Sequence, residues 1–365
     1  MSRIIAIGTA VPQNRVKQDD LLDFMHSAYT RKDTSRKLSM LFRASGIHTR
    51  HSAVPDFGKD SPDRALFVSG KYPDVAERLR VFHDNAVSLA LEAVHAAFRK
   101  PDPPGGHLPV SHLITVTCTG LQAPGLDAEL MHRLGLANDI FHTAVNFLGC
   151  NAAFPALKMA DMIAQTNENA RILIVCIELC TLHFQPKSDH DNLLSNTIFS
   201  DGAAAMVLVP DRYAEKHKLK GLALKGFYSC LFREGQHLMG WNITPLAFEM
   251  VLNARVADLI EKQINPLIAT AAEKLAIDPA TVSHWAVHPG GRKILDVVRK
   301  KLEISDEKLS ASYEVLYDYG NMSSATIVFV LEKVMAQLNN PGQLVIAIGF
   351  GPGISVDSAC LTYEE

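Results

Sequence analysis

The stretch Asn151–Gln165 reads Asn-Ala-Ala-Phe-Pro-Ala-Leu-Lys-Met-Ala-Asp-Met-Ile-Ala-Gln, apolar almost all the way round a helical wheel. A helix with a polar face can lie on a surface, but one that is apolar all round must be covered on every side. This segment therefore predicts a helix buried throughout its circumference. Around it, short β-branched runs alternate with longer helical stretches. Expected strands are Arg3–Ile7, His112–Thr117, Arg171–Cys176 and Ala203–Val209, then Leu222–Tyr228, Trp285–His288 and Leu344–Ile348. Expected helices are Asp84–Arg99, Leu126–Leu134, Ala152–Gln165, Val251–Leu275 and Ser323–Leu338, with Thr326–Leu331 ambiguous between helix and strand. The alternation argues for a layered α/β fold.

The chain has 365 residues, room for two domains or one large duplicated unit at ~150 residues per domain. Pro101–Pro109 is a turn-rich connector, and the polar stretch Pro210–Lys220 could join two halves that share a rough rhythm of strand, loop, helix and strand. The net charge of −3 gives no global field that would recruit nucleic acid. No apolar run reaches the ~18 residues of a membrane span, and the N-terminal apolar stretch reads as a first buried strand, not a signal peptide. The six cysteines, at 118, 150, 176, 180, 230 and 360, are too few for a disulfide scaffold and lack zinc-site spacing. They read as reduced thiols in a cytoplasmic protein, and the question is whether one is a nucleophile.

Cys150 follows Gly149 and stands just before the apolar helix. A thiol there faces the positive end of the helix dipole, which favours thiolate. The competing reading is a small buried hydrophobe, the common fate of a free cysteine. His288 ends an apolar strand and runs into Pro-Gly-Gly, where the backbone opens to a ligand. Asn321 precedes a helix and suits an N-cap, and its amide could also donate into a site. Cysteine, histidine and asparagine together suit acyl transfer: a thiolate attacks a thioester, paired with an imidazolium, while imidazole and amide stabilise an oxyanion or enolate. Gly349-Phe-Gly-Pro-Gly353 has too little chain after it for a dinucleotide-binding unit, and reads either as a plain turn or as a rigid backbone wall close to a ligand. No G-x-S-x-G, phosphate-binding loop or H-E-x-x-H is present, and Asp189-His190-Asp191 reads as a solvated loop, so no metal is expected. The cationic segment Arg31–Arg50, with Arg31, Lys32, Arg36, Lys37, Arg43 and Arg50 against Asp33, is either a solvated helix face or a seat for phosphates.

Taken together, Gly149-Cys150, Phe199 in Ile198-Phe-Ser-Asp-Gly, His288-Pro-Gly-Gly, Gly320-Asn321-Met-Ser-Ser and Gly349–Gly353 resemble the type III polyketide synthases, the chalcone-synthase-like family, over essentially the whole chain. The resemblance implies a thiolase-like duplicated αβαβα layered fold, an N-terminal half 1–215 with the cysteine, a C-terminal half 216–365 with histidine and asparagine, and a homodimer. It implies that Cys150 accepts the acyl group, and that His288 and Asn321 activate it and stabilise the enolate of decarboxylated malonyl-CoA. Phe199 would gate the cavity, Cys118 and Thr119 would line it, and Gly349, Phe350, Gly351, Pro352 and Gly353 would shape the cyclisation pocket. Lys37, Arg43 and Lys293 would hold coenzyme A. The substrates would be acyl-CoA and malonyl-CoA, with no further cofactor.

Departures from the plant pattern point to microbial members that extend fatty acyl starters into alkylpyrones or alkylresorcinols. Cys118-Thr119-Gly120 stands where plant enzymes carry Thr-Ser-Gly, Ser195 and His183 differ, and no second gating phenylalanine is found near Val251. Two rivals remain: a ketoacyl synthase III-type enzyme with the same Cys/His/Asn set, and a non-catalytic partner subunit, which would be expected to lose the nucleophile.

Overall fold

The strand Ile172–Leu179 is buried along its whole length, so both of its faces need a covering layer. Side chains alternate across a strand, and here Ile172, Ile174 and Cys176 enter one core while Leu173, Val175, Ile177 and Leu179 enter another. The strand Leu344–Gly351 divides the same way: Val345 and Ala347 join the first core, Ile346, Ile348 and Phe350 a third. These observations come from a computed structural model that describes residues 1–29, 32–58, 66–67, 72–99 and 109–365. The connector read at Pro101–Pro109, apart from its last residue, and Arg31 lie outside the described residues.

The first core, shared by the two halves, is built around helices Ala153–Thr166 and Thr326–Gln337. The second lies under helix Val75–Phe98 and the N-terminal helices. The third lies under Val256–Leu275, Arg292–Lys301 and Asp306–Tyr319. Helix, half-sheet, central helices, half-sheet, helix is the five-layered αβαβα arrangement that was expected. The nine sheet strands run in the order Val282–Val287, Leu344–Gly351, Ser355–Glu364, Gly221–Leu231, Ser2–Ala10, Asp201–Pro210, Ile172–Leu179, His112–Thr117, Phe141–Asn146. The half-sheets meet where Ser2–Ala10 pairs with Gly221–Leu231, through Arg3 with Ala223 and Ile4 with Leu222 alone.

Several expectations are corrected. The helix after Cys150 is not covered on every side: Met162 is 59% exposed, on an outward face with Gln165 and Thr166. The more fully enclosed helix is Thr326–Gln337, buried at every position from Thr326 to Leu331, which settles that segment as helix. Helix Asp84–Arg99 starts earlier, at Val75, behind a capping box in which Asp74 and Glu77 satisfy each other's backbone N–H groups. The helix expected from Val251 begins at Val256; Phe248–Leu252 is instead a strand paired with Met239–Ile243. The residues after Gly353 form a full antiparallel strand, Ser355–Glu364.

Candidate active site

Gly149 adopts a φ of +88°, open to glycine at little cost, and a Cβ there would sit 2.1 Å from Pro352 Cδ. Its N–H donates to Cys118 Sγ at 3.0 Å. Cys150 then lies in a turn in which the Ala152 N–H donates to the Gly149 carbonyl at 3.0 Å, and helix Ala153–Thr166 follows. Pro155 falls in the first helical turn, where a missing N–H costs nothing. The thiol is buried, 5% exposed, and accepts hydrogen bonds from the side chains of Ser323 and Asn321.

Asn321 is not the helix cap that was expected: the short turn Ser323–Ala325 is capped at Met322 and helix Thr326–Gln337 at Ala325, neither by a side chain. Asn321 Oδ1 instead closes a local turn, accepting the Ser323 N–H at 2.9 Å and the Thr326 hydroxyl at 3.3 Å. That fixes the amide so that its NH₂ end is the one turned to Cys150. Its backbone pairs with the other half of the molecule: Asn321 N–H donates to Ile198 O, and Ser200 N–H donates to Asn321 O, both at 2.9 Å, so Phe199 is held opposite it. His288 leaves its strand as expected, with its N–H donating to Ile348 O at 2.8 Å. Its imidazole is buried and neither ring nitrogen has a partner. Two unpaired nitrogens facing a cavity are groups positioned for a ligand.

Burial works against the thiolate–imidazolium pair expected from the sequence. It pushes the Cys150 thiol up to about 12; hydrogen bonds from Ser323 and Asn321 lower it, and the charge of Glu178 raises it. Burial likewise pushes His288 down to about 3. Loss of water disfavours the charged form of each group.

Cys150, His288, Asn321, Phe199 and Phe350 face one cavity of about 290 Å³, whose remaining wall is largely apolar. A smaller void of about 20 Å³ touches Cys150 on its other side, against Cys118, Thr119, Cys180, Ser323 and Pro352. A third, of about 50 Å³, lies behind Phe199 towards Leu21, Met25 and Phe57. Phe199 and Met250 line all three. Met250 therefore shares these walls with Phe199, in the region near Val251 where no second gating phenylalanine was found in the sequence. Trp241 closes the side near Cys118, its indole N–H donating to Cys118 O at 2.6 Å.

The cations divide. Lys293 lines the wall of the large cavity and pairs with Asp258 at 3.1 Å. Lys37 is exposed one helical turn before Leu41, which lines the same wall, whereas Arg43, two residues beyond Leu41, projects from the far side of that helix. Arg43 is thus displaced from the cavity. Arg50 is buried and spends its guanidinium on Gln18, Asn196 O and Phe199 O, so it is not a surface phosphate ligand.

The Gly349–Gly353 loop splits as well. Phe350 and Pro352 line cavities. A Cβ on Gly349 would sit 2.4 Å from the Phe154 ring and one on Gly351 1.8 Å from Asn151 Oδ1, so these glycines admit the helix that follows Cys150, not a ligand. Gly353, at φ +95°, makes the turn between two strands. Sequence reading missed Glu178, Ser323 and Trp241. Glu178 is fully buried; its Oε2 accepts from Cys118 N–H and the Thr119 hydroxyl, its Oε1 from the Ser324 hydroxyl, tying both halves beneath the nucleophile. A lone acid inside an apolar strand was the available signal. Among the described residues there is no group of three or more metal-ligating side chains, and Asp189 serves as a helix cap.

Comparison with known proteins gives matches over nearly the whole chain. The family model for chalcone and stilbene synthases, N-terminal domain, matches residues 1–212, and its C-terminal counterpart matches residues 229–363. The alpha-pyrone synthesis polyketide synthase-like Pks18 of Mycobacterium tuberculosis is 28% identical over 359 residues, spanning 97% of this chain and 89% of that protein. The C-terminal type III polyketide synthase domain of Steely1 from Dictyostelium superposes with a TM-score of 0.90 at 26% identity, over 99% of each chain. PKS-I from the brown alga Ectocarpus siliculosus gives 0.90 at 28% identity, over 100% of this chain and 98% of that one.

Proposed function

The chain belongs to the chalcone and stilbene synthase family, the type III polyketide synthases, condensing acyltransferases that form carbon–carbon bonds, and from that premise we propose that it extends a fatty acyl-CoA with malonyl-CoA and closes the product to a pyrone or resorcinol. The observation that carries this reading is the convergence of Cys150, His288 and Asn321 on one largely apolar cavity, with both imidazole nitrogens unpartnered.

In this reading the Cys150 thiol passes its proton to His288 as sulfur attacks the starter thioester, and coenzyme A leaves as the free thiol. Malonyl-CoA then loses CO₂, and the enolate left behind is held by the His288 imidazole and the Asn321 amide. The enolate carbon attacks the acyl-Cys150 carbonyl. A carbon–carbon bond forms, the C–S bond breaks, and the chain is released onto the incoming CoA. Phe199 and the apolar wall exclude water while the carboxylate departs. The thioester supplies activation and CO₂ loss the driving force, so the cycle calls for no metal or redox group. Lys293 and Arg292, which line the large cavity, and Lys37, a turn from Leu41, are the cations we assign to coenzyme A, and Cys118 and Thr119 back the acyl-bearing sulfur.

The same reading divides the chain near residue 215, with the nucleophile in the first half and its two partners in the second. It pairs two copies through the edge strand Phe141–Asn146 and the outward face of the helix at Met162; Phe141, Leu148 and Met162 are 54%, 46% and 59% exposed. Six unpaired thiols suit a reducing cytoplasmic setting, and no helix among the described residues is long and apolar enough to cross a membrane. The Mycobacterium relative's name, an alpha-pyrone synthesis enzyme, supports the lactone outcome.

The test is to incubate Cys150→Ala and the unaltered protein with a panel of acyl-CoA starters and malonyl-CoA, with products read by mass spectrometry. Loss of all extension in the variant, with an unchanged circular dichroism spectrum, is expected. Extension by the variant would overturn the assignment of Cys150. A strict preference for aromatic starters would overturn the fatty acyl reading.

A further inference from the structure

Helix Ala153–Thr166, which follows Cys150, starts without a side-chain cap. Its start is held from the other half of the molecule instead. Asn151, the residue after the nucleophile, is 3% exposed, and its Nδ2 donates to Asp357 Oδ2 at 2.6 Å and to Ser355 Oγ at 3.0 Å. About two helical turns on, Lys158 pairs with Asp357 Oδ1, and the Ser229 hydroxyl donates to the same oxygen. One carboxylate on strand Ser355–Glu364 thus grips the nucleophile's segment at two points. Asp357 lies in register with Gly349, where a Cβ would come within 3.2 Å of Asn151 Cβ, so the glycine leaves the asparagine room to approach. A carboxylate only accepts, so the Asn151 amide turns its NH₂ to Asp357 and leaves Oδ1 against Gly351 with no hydrogen-bond partner. A buried unpaired acceptor is a cost that an apolar residue at 151 would avoid, so the bond to Asp357 does something that packing alone does not. Asp357 is 6% exposed and is not among the residues that wall the three cavities around Cys150 and Phe199.

We propose that Asp357 is a positioning residue for the nucleophile: by fixing Asn151 and Lys158, it sets the turn that aims the Cys150 thiol at the acyl thioester. The proposal rests on the condensing-enzyme reading and adds to it a residue that acts through Asn151. Cys150 belongs to the first half of the chain, whereas Asn321 and Ser323, which hydrogen-bond its thiol, and His288, which faces the same cavity, belong to the second. Asp357 also belongs to the second half, so its bond to Asn151 ties the sulfur to the frame that carries its partners. Attack on a thioester depends steeply on alignment, and a misplacement of about 1 Å can cost on the order of a hundredfold in rate. Decarboxylation of malonyl-CoA is assigned instead to His288 and Asn321, whose backbones are held by Ile348 and Ile198. Loss of the Asp357 bonds is therefore expected to slow acyl transfer to sulfur and to spare CO₂ loss.

The experiment compares two partial reactions in the unaltered protein, Asp357→Asn, Asn151→Leu and the double variant. The first is the burst of coenzyme A released when a fatty acyl-CoA is supplied alone, which reports acyl transfer to Cys150. The second is CO₂ released from malonyl-CoA supplied alone, which reports the His288 and Asn321 end of the site. Each single variant is expected to slow the burst about tenfold or more while CO₂ release keeps its rate. The double variant is expected to be no slower than the slower single one, as for residues that act through one bond. Both reactions are read on the same sample, so a loss of folded protein would lower them together. A parallel fall in both, an unchanged burst, or additive losses in the double variant would overturn the proposal while leaving the condensing reading in place. An unaltered protein that releases neither coenzyme A nor CO₂ would overturn both.

Discussion

Burial disfavours the charged forms of both Cys150 and His288, because each is removed from water. With the thiol at about 12, the thiolate fraction grows tenfold with each pH unit through the neutral range. Alkylation of Cys150 by iodoacetamide, followed by peptide mapping, is therefore expected to accelerate about tenfold per unit from pH 6 to pH 9; a plateau in that range would reveal a preformed thiolate. Met250 lines all three cavities with Phe199, and a gate there has a testable consequence. Met250→Phe is expected to cut kcat/KM for long starters at least fivefold relative to short ones, and Met250→Ala to relax that preference; equal effects on long and short starters would count against the gate. Cys150 was legible because its signal is local, a glycine before it and an apolar helix after it. Ser323 was not: it hydrogen-bonds the thiol from a backbone φ of +49°, strained for serine, and nothing in the serine-rich run marks which residue takes that conformation.

The helix that follows Cys150 is seated against the strand Leu344–Gly351, and the glycines of that strand set how closely they approach. Gly349→Ala would drive a methyl group into Phe154, an overpacking that costs about 1–3 kcal/mol. A lower melting temperature and reduced condensation together are expected, checked by thermal unfolding and the malonyl-CoA assay; wild-type values for both would show that the seat tolerates a methyl group. Elements with strong, one-sided patterns were read to within a few residues, His112–Thr117 and Leu126–Arg133 among them. The hairpin Met239–Leu252 was not read as strand, and its last two residues were read as helix, because Phe248, Met250 and Leu252 repeat every second residue over a span too short to outweigh the helical pattern beginning at Val256. The edge strand Phe141–Asn146 was missed because most of its side chains are exposed, which removes the apolar alternation that marks a half-buried strand.

Five layers close around two central helices: the half-sheets pair through two residue pairs, and the shared central core and the contacts around the candidate site join the halves further. Phe199 and Asn321 pair backbone to backbone across the halves, and Glu178 binds Thr119 and Ser324 from one carboxylate. The pairing proposed for the 40.0 kDa chain puts the exposed Met162 at the contact between copies. Light scattering after size exclusion is expected to give twice that mass, falling to the single-chain mass in Met162→Glu; an unaltered protein that is already monomeric would overturn the pairing. The candidate residues Cys150, His288 and Asn321 were singled out from the chain alone, because a cysteine before a helix, a histidine at a strand end and an asparagine before a helical turn are each defined by their immediate neighbours. Their meeting on one cavity was not legible there. Nor were the exposure of Met162, the Met250 and Trp241 walls, or the bond from Asn151 to Asp357. Those follow from which distant segments come into contact and how much water is left between them, and only the packed layers decide that.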